Sequence, residues 1–173
     1  MIDLTGKNLL GLNNYFMQPL EYGKYYHIYN RGINDETLFT SQDNYLYFLR
    51  LYNKYLSNIV DTYTWCLMNN HFHFLVQIKE LDAIKFEVKN PERFSYQQFS
   101  NFFNAYSKFF NKRELRHGAL FDRLFRRKLI QDEEYLKNLI LYIHLNLIHH
   151  NLVENVIDYF WSSYESILSL QES

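Results

Sequence analysis

A chain of 173 residues, 47% apolar and 21% charged, has the size and make-up of one globular unit, and no apolar run approaches the ~20 residues needed to cross a bilayer. The single cysteine, Cys66, excludes an internal disulfide, and Met1 to Tyr22 lacks the basic start and long apolar stretch of a secretory leader, so a cytoplasmic protein without a membrane partner is expected. The net charge of −1 argues against a uniformly basic nucleic-acid binder, but charge is unevenly spread: Lys108 to Lys128 holds eight Lys or Arg against Glu114 and Asp122, whereas the remainder holds ten against seventeen acids.

Met1 to Lys24, with Asn13, Asn14, Pro19 and Gly23, shows no clean periodicity and reads as an N-terminal extension, leaving 25–173 as a single domain. Tyr25 to Asn30 alternates and stops at Arg31 and Gly32, which predicts a strand and a turn. Tyr45, Phe48, Leu49, Tyr52, Leu56 and Ile59 recur at helical spacing behind the capping residues Thr40 and Ser41. Val60 to Met68 is rich in β-formers, Asn69 and Asn70 suit a tight turn, and His71 to Ile78 alternates again, so a hairpin is expected. After a polar stretch with Pro91, Phe99, Phe102, Phe103, Tyr106, Phe109 and Phe110 make an aromatic stripe, read as core and not as a base-stacking platform. Leu124 to Ile130 reads as a short strand whose Arg126 and Lys128 suit a sheet edge. Asp132 then caps a long helix with Glu133 and Glu134 in its first turn, where the helix dipole favours acids. The order β-α-β-β-α-β-α implies an α+β fold, an antiparallel sheet with packed helices.

Two places carry chemistry. In the strand from His71, alternate residues share a face, so His71 and His73 project together while Phe72, Phe74, Val76 and Ile78 form an apolar face behind them. Two imidazoles so spaced can ligate one divalent cation, although such a pair is more often structural. On the last helix, Leu136, Ile140, Ile143 and Leu147 form the apolar stripe, and Tyr135, Tyr142, Asn146 and His149 fall on the nearly opposite side. Tyr142 and Asn146, one turn apart, can reach a common point, whereas His144 lies near the stripe and reads as a buried structural residue.

The segments YYHIYNRG (Tyr25 to Gly32), MNNHFHFLV (Met68 to Val76), YIHLNLIHHNLV (Tyr142 to Val153) and WSSY (Trp161 to Tyr164) resemble, in order and separation, those of the REP-associated tyrosine transposases. These are relatives of the single-tyrosine HUH transposases that move DNA as single strands. The resemblance spans about Tyr25 to Leu168 and implies a ferredoxin-like, RRM-like HUH nuclease domain. It also implies Tyr142 as the nucleophile, and His71, His73 and Asn146 as ligands for Mg²⁺ or Mn²⁺. The chain departs from the family pattern at Asn69, where a proline is usual, and at Leu147 and His149, where a proline and an arginine are usual. The missing arginine leaves His149 as a candidate substitute contact or ligand.

The resemblance implies cleavage and rejoining of single-stranded DNA, at hairpin-forming repeats, through a covalent 5′-phosphotyrosine. Lys112, Arg113, Arg116, Arg123, Arg126, Arg127 and Lys128 are the candidate track for the phosphate backbone. A domesticated hairpin-DNA-binding protein that no longer cleaves is the alternative; so is a metal hydrolase using water. A covalent protein–DNA adduct separates them. The DNA target and the choice between monomer and homodimer are open at the level of sequence.

Overall fold

The computed structural model describes residues 19–122 and 124–169. The expectations for most of the N-terminal extension and for Arg123 therefore lie outside the described residues. Four strands, β1 (Tyr25–Arg31), β2 (Val60–Leu67), β3 (His71–Ile78) and β4 (Arg126–Ile130), form one antiparallel sheet in the order β2-β3-β1-β4. Helices α1 (Gln42–Leu56), α2 (Pro91–Arg113), α3 (Glu133–His149) and a short α4 (Tyr164–Ser169) complete it. The β1-α1-β2-β3-α2-β4 core with this strand order is the ferredoxin-like arrangement, followed by an additional α3.

Local chemistry explains the element ends. Asn44 Oδ1 accepts from the backbone N–H groups of Thr40 (2.9 Å) and Ser41 (3.1 Å), fixing the start of α1. Pro91 sits at the first position of α2, where a missing N–H costs nothing, so the helix begins eight residues before its first buried phenylalanine, Phe99. Asp132 Oδ1 caps α3 by accepting from Tyr135 N at 2.6 Å. Gly32 ends β1 because a Cβ there would run into the carbonyl oxygen of Glu36.

The alternation of β1 and β3 splits the interior into two layers. Tyr26, Ile28, Phe72, Phe74, Val76 and Ile78 pack with α1 and α2 around Phe48, Phe99, Phe102, Phe103 and Tyr106. The aromatic stripe of α2 is thus core, as its periodicity predicts. The opposite face, with Cys66, Leu75 and Ile130, is covered by Leu139, Ile143 and Leu147 of α3. His71 and His73 belong to this second face and lie beneath the tyrosine helix.

The WSSY segment runs along the outer edge of β2. Leu67 N donates to Trp161 O, and Ser163 N donates to Trp65 O. Ser163 Oγ accepts from Trp65 N at 2.9 Å and lies 3.0 Å from Thr64 Oγ1 and 3.1 Å from His144 Nε2. His144 Nδ1 donates to Ile140 O at 3.0 Å, which leaves Nε2 as the acceptor in this cluster. His144 is therefore the buried structural residue expected from its position, and it ties α3 to β2 through Thr64 and Ser163. Among the described residues, no helix is long and apolar enough to cross a membrane.

Candidate active site

Residues 142 and 146 of α3 and its C-cap residue His150 are spaced by one turn and run along β3. The ring of Tyr142 stands edge-on to His73, with centroids 5.8 Å apart, and the ring of His150 lies 4.8 Å from that of His71. Asn146 is bracketed between these two contacts and is buried, 3% exposed. Its Nδ2 is a buried polar atom without a hydrogen-bond partner among the described residues. Tyr142 is 45% exposed, so the nucleophile candidate faces solvent at the margin of the covered face.

This differs from the helical-wheel expectation in one respect. Asn146 lies with the buried residues of α3, not opposite them, because the helix packs its inward side onto the histidine-bearing face of the sheet. At ~100° per residue, position 150 falls close to the direction of the buried Ile143, whereas position 149 falls beyond Tyr142, toward solvent. His149 is accordingly exposed, and the histidine brought against His71 is His150.

Burial keeps His71 and His73 neutral at ordinary pH. Burial pushes His71 down to about 4, helped by His150 and Arg31, and pushes His73 well below its ordinary value, helped by His27 and His71. Each has its Nδ1 engaged: His71 Nδ1 lies 2.6 Å from Asn70 Oδ1, and His73 Nδ1 lies 2.8 Å from His27 Nε2. Among the described residues, no group of three or more His, Cys, Asp or Glu side chains could hold a metal ion. A cation here would rely on two neutral imidazoles and the side-chain oxygen of Asn146, a neutral N/O donor set in which the carboxamide is buried on the same side of α3.

Sequence reasoning passed over His27. It sits on the second face of β1 with Tyr29, 6% exposed, its ring 4.6 Å from Tyr29, 5.0 Å from His73 and 6.4 Å from Tyr142. The signal was present in YYHIYNRG, where strand alternation puts Tyr25, His27, Tyr29 and Arg31 on one face.

The basic segment divides. Arg126 and Lys128 pair in register with Tyr29 and His27 on the edge strand, on the face of the candidate site. Arg126 also meets Asp122 at 3.4 Å, and Lys128 lies 4.0 Å from the centroid of Tyr135. Arg127 alternates to the other face and rests on the rings of Tyr96 and Phe125. Arg113 pairs with Asp43 at 3.0 Å and Arg116 with Glu36 at 2.5 Å, while Lys112 stays exposed beside Lys108 and His117 in an open hollow.

No protein-family model matches the chain. A Haemophilus influenzae protein that carries the name REP-associated tyrosine transposase is 30% identical over 107 residues, covering 60% of this chain and 58% of that protein's length. The fold matches a solved structure of a REP-associated tyrosine transposase bound to a REP hairpin, with TM-score 0.66 over 91% of this chain and 86% of that one, at 14% identity. A relative of that name thus matches part of the chain, and the α+β fold is the fold of such a transposase.

Proposed function

We propose that this chain is a single-strand DNA transposase or endonuclease that cuts and rejoins DNA at hairpin-forming repeats through Tyr142. The observation that carries this reading is the run of Tyr142, Asn146 and His150 along the His73–His71 strand. It gathers a solvent-facing phenol, two neutral imidazoles and a buried carboxamide at one place. The named relative and the hairpin-bound structural neighbour support the substrate class.

His71, His73 and Asn146 would hold Mg²⁺ or Mn²⁺, which when bound withdraws charge from a phosphate and eases departure of a 3′ oxygen. The Tyr142 oxygen would attack phosphorus in line with that leaving group. The phenol proton passes to solvent, a Tyr142–phosphorus bond forms, the phosphorus–O3′ bond breaks, and the freed 3′ oxygen takes up a proton. Bond energy is kept in the phosphotyrosine, so a 3′ hydroxyl can reverse the step on another strand without a nucleotide cofactor. Arg126 and Lys128 on the edge strand would carry the backbone to the site.

The test is incubation with Mn²⁺ and hairpins bearing single-stranded flanks, followed by a denaturing gel. Wild type should give a covalent adduct whose tryptic peptide contains Tyr142. Tyr142→Phe should give none while keeping hairpin affinity and a folding stability within about 1 kcal/mol of wild type. Undiminished cleavage by Tyr142→Phe would refute the assignment. Hairpin binding by wild type with no adduct would favour the non-cleaving, domesticated reading.

A further inference from the structure

His27 lies outside the ligand set expected from sequence, yet it makes the closest polar contact to His73. The two ring nitrogens, His27 Nε2 and His73 Nδ1, are 2.8 Å apart in a buried setting. Between two neutral imidazoles, one nitrogen must carry the proton and the other must accept it. The two ways of doing so are not equivalent. If His27 Nε2–H donates, the proton of His73 sits on Nε2, and that nitrogen has no lone pair for a cation. If His73 Nδ1–H donates, Nε2 of His73 keeps its lone pair. His71 has a parallel arrangement, its Nδ1 beside the side-chain oxygen of Asn70 at 2.6 Å. An amide oxygen can only accept, so there the Nδ1–H tautomer is imposed.

His27 is also held in place on both sides. Its ring stacks on Tyr29 at 4.6 Å, and Tyr142 stands edge-on to it at 6.4 Å and 81°. The rings of His27 and His73 are 25° from parallel, so the nitrogen pair is kept roughly in plane. Because β1 and β3 pair with Tyr29 opposite His73, His27 reaches His73 along the diagonal of the sheet, and backbone register fixes the pair.

We infer that His27 is a positioning residue: its Nε2 accepts the Nδ1–H of His73 and fixes the tautomer that leaves His73 Nε2 free for a divalent cation. The inference rests on the metal-assisted reading above and gives Asn70 the matching role toward His71. A partner of this kind, behind a ligating histidine, changes metal affinity by ~10–100-fold when removed.

The first measurement uses the metal-free wild-type protein at neutral pH. Long-range ¹⁵N–¹H correlation spectra report which nitrogen of each histidine bears the proton, independently of metal and of cleavage. The expected result is His73 protonated on Nδ1. The second compares His27→Leu, which removes the acceptor, with His27→Gln, whose side-chain oxygen can stand where Nε2 stood. His27→Leu should give His73 a mixed or Nε2-protonated spectrum and weaken Mn²⁺ binding, read by calorimetry, ~10–100-fold. His27→Gln should retain the Nδ1–H tautomer and bind Mn²⁺ within about threefold of wild type. Amide spectra of both variants report whether the sheet is intact. A wild-type His73 protonated on Nε2, or an unchanged tautomer and Mn²⁺ affinity in a folded His27→Leu, overturns the inference and leaves the proposed function standing. Failure of the wild type to bind Mn²⁺ at all overturns both.

Discussion

Ser163→Ala removes one oxygen from the junction between the tyrosine helix and the sheet. That oxygen accepts from Trp65 N at 2.9 Å and lies 3.0 Å from Thr64 Oγ1 and 3.1 Å from His144 Nε2. His144 keeps its other hydroxyl neighbour, Thr64 Oγ1 at 3.1 Å, so the main loss is the acceptor for the Trp65 N–H. Stranding a buried donor costs about 1–3 kcal/mol. Taking about 2 kcal/mol, and about 2–4 °C per kcal/mol for a chain of this size, the melting temperature should fall by about 4–8 °C. Ser162→Ala is the control: its Oγ donates to Tyr159 O at 3.2 Å and accepts from Tyr164 N at 3.3 Å, outside the junction with α3, and the fall should be under half as large. Thermal unfolding by circular dichroism, with urea titrations to check that the dependence on denaturant is unchanged, measures both. His144 lies two residues from both Tyr142 and Asn146, so the Ser163 variant should also form adduct more slowly than the Ser162 variant at a temperature where both are folded. A Ser163→Ala protein that melts within about 1 °C of wild type, or no lower than Ser162→Ala, would refute the reasoning.

Gly32→Ala should lower stability by about 1–3 kcal/mol in a denaturant melt, because its Cβ meets the backbone of Glu36 and not a side chain that can swing away. Burial pushes the Cys66 thiol up to about 12, so the folded chain holds this proton where the unfolded chain releases it. The stability tied to that proton is complete below about 9 and is lost as pH rises from there toward about 12; alkaline melts of Cys66→Ala should lack this component. Replacing Arg126 and Lys128 with Gln should reduce the slope of log affinity for hairpin DNA against log salt by about 0.7–0.9 for each phosphate that the two side chains neutralise in the wild type. Arg127→Gln, on the other face between Tyr96 and Phe125, should lower stability and leave that slope unchanged.

Strand alternation and capping residues made most of the fold legible. His71 to Ile78 is a strand with the bounds expected, and Asp132 caps α3 as its position announced. Pro91 was harder to place: a proline reads as punctuation, and only the finished helix shows that it occupies the first turn. The histidine pair and Tyr142 could be found because each lies on an element of regular period. What periodicity could not provide was the surface that α3 packs against. An apolar stripe shows which side is buried, but a polar side chain at its margin, such as Asn146, can be named as a site residue and still be assigned to the opposite side, because its environment comes from another strand. His150 was missed over His149 for the same reason, since the ~100° between neighbouring helical positions decides which one meets His71. His27 required the β1–β3 register, which brings together residues 46 positions apart.

The strap along β2 also bears on the order in which the molecule is assembled. The β2–β3 hairpin closes over a short turn and can form early, whereas the bond from Trp65 to Ser163 joins residues 98 positions apart. During synthesis the histidine strand is therefore finished well before residues 161–163 emerge to fasten the helix that bears Tyr142. Until then α3 lacks its anchor through His144, and the outer edge of β2 presents unpaired N–H and C=O groups to any neighbouring strand. A nascent chain of this protein would thus be exposed to edge-to-edge pairing at a stage when its two imidazoles and its tyrosine are not yet held together.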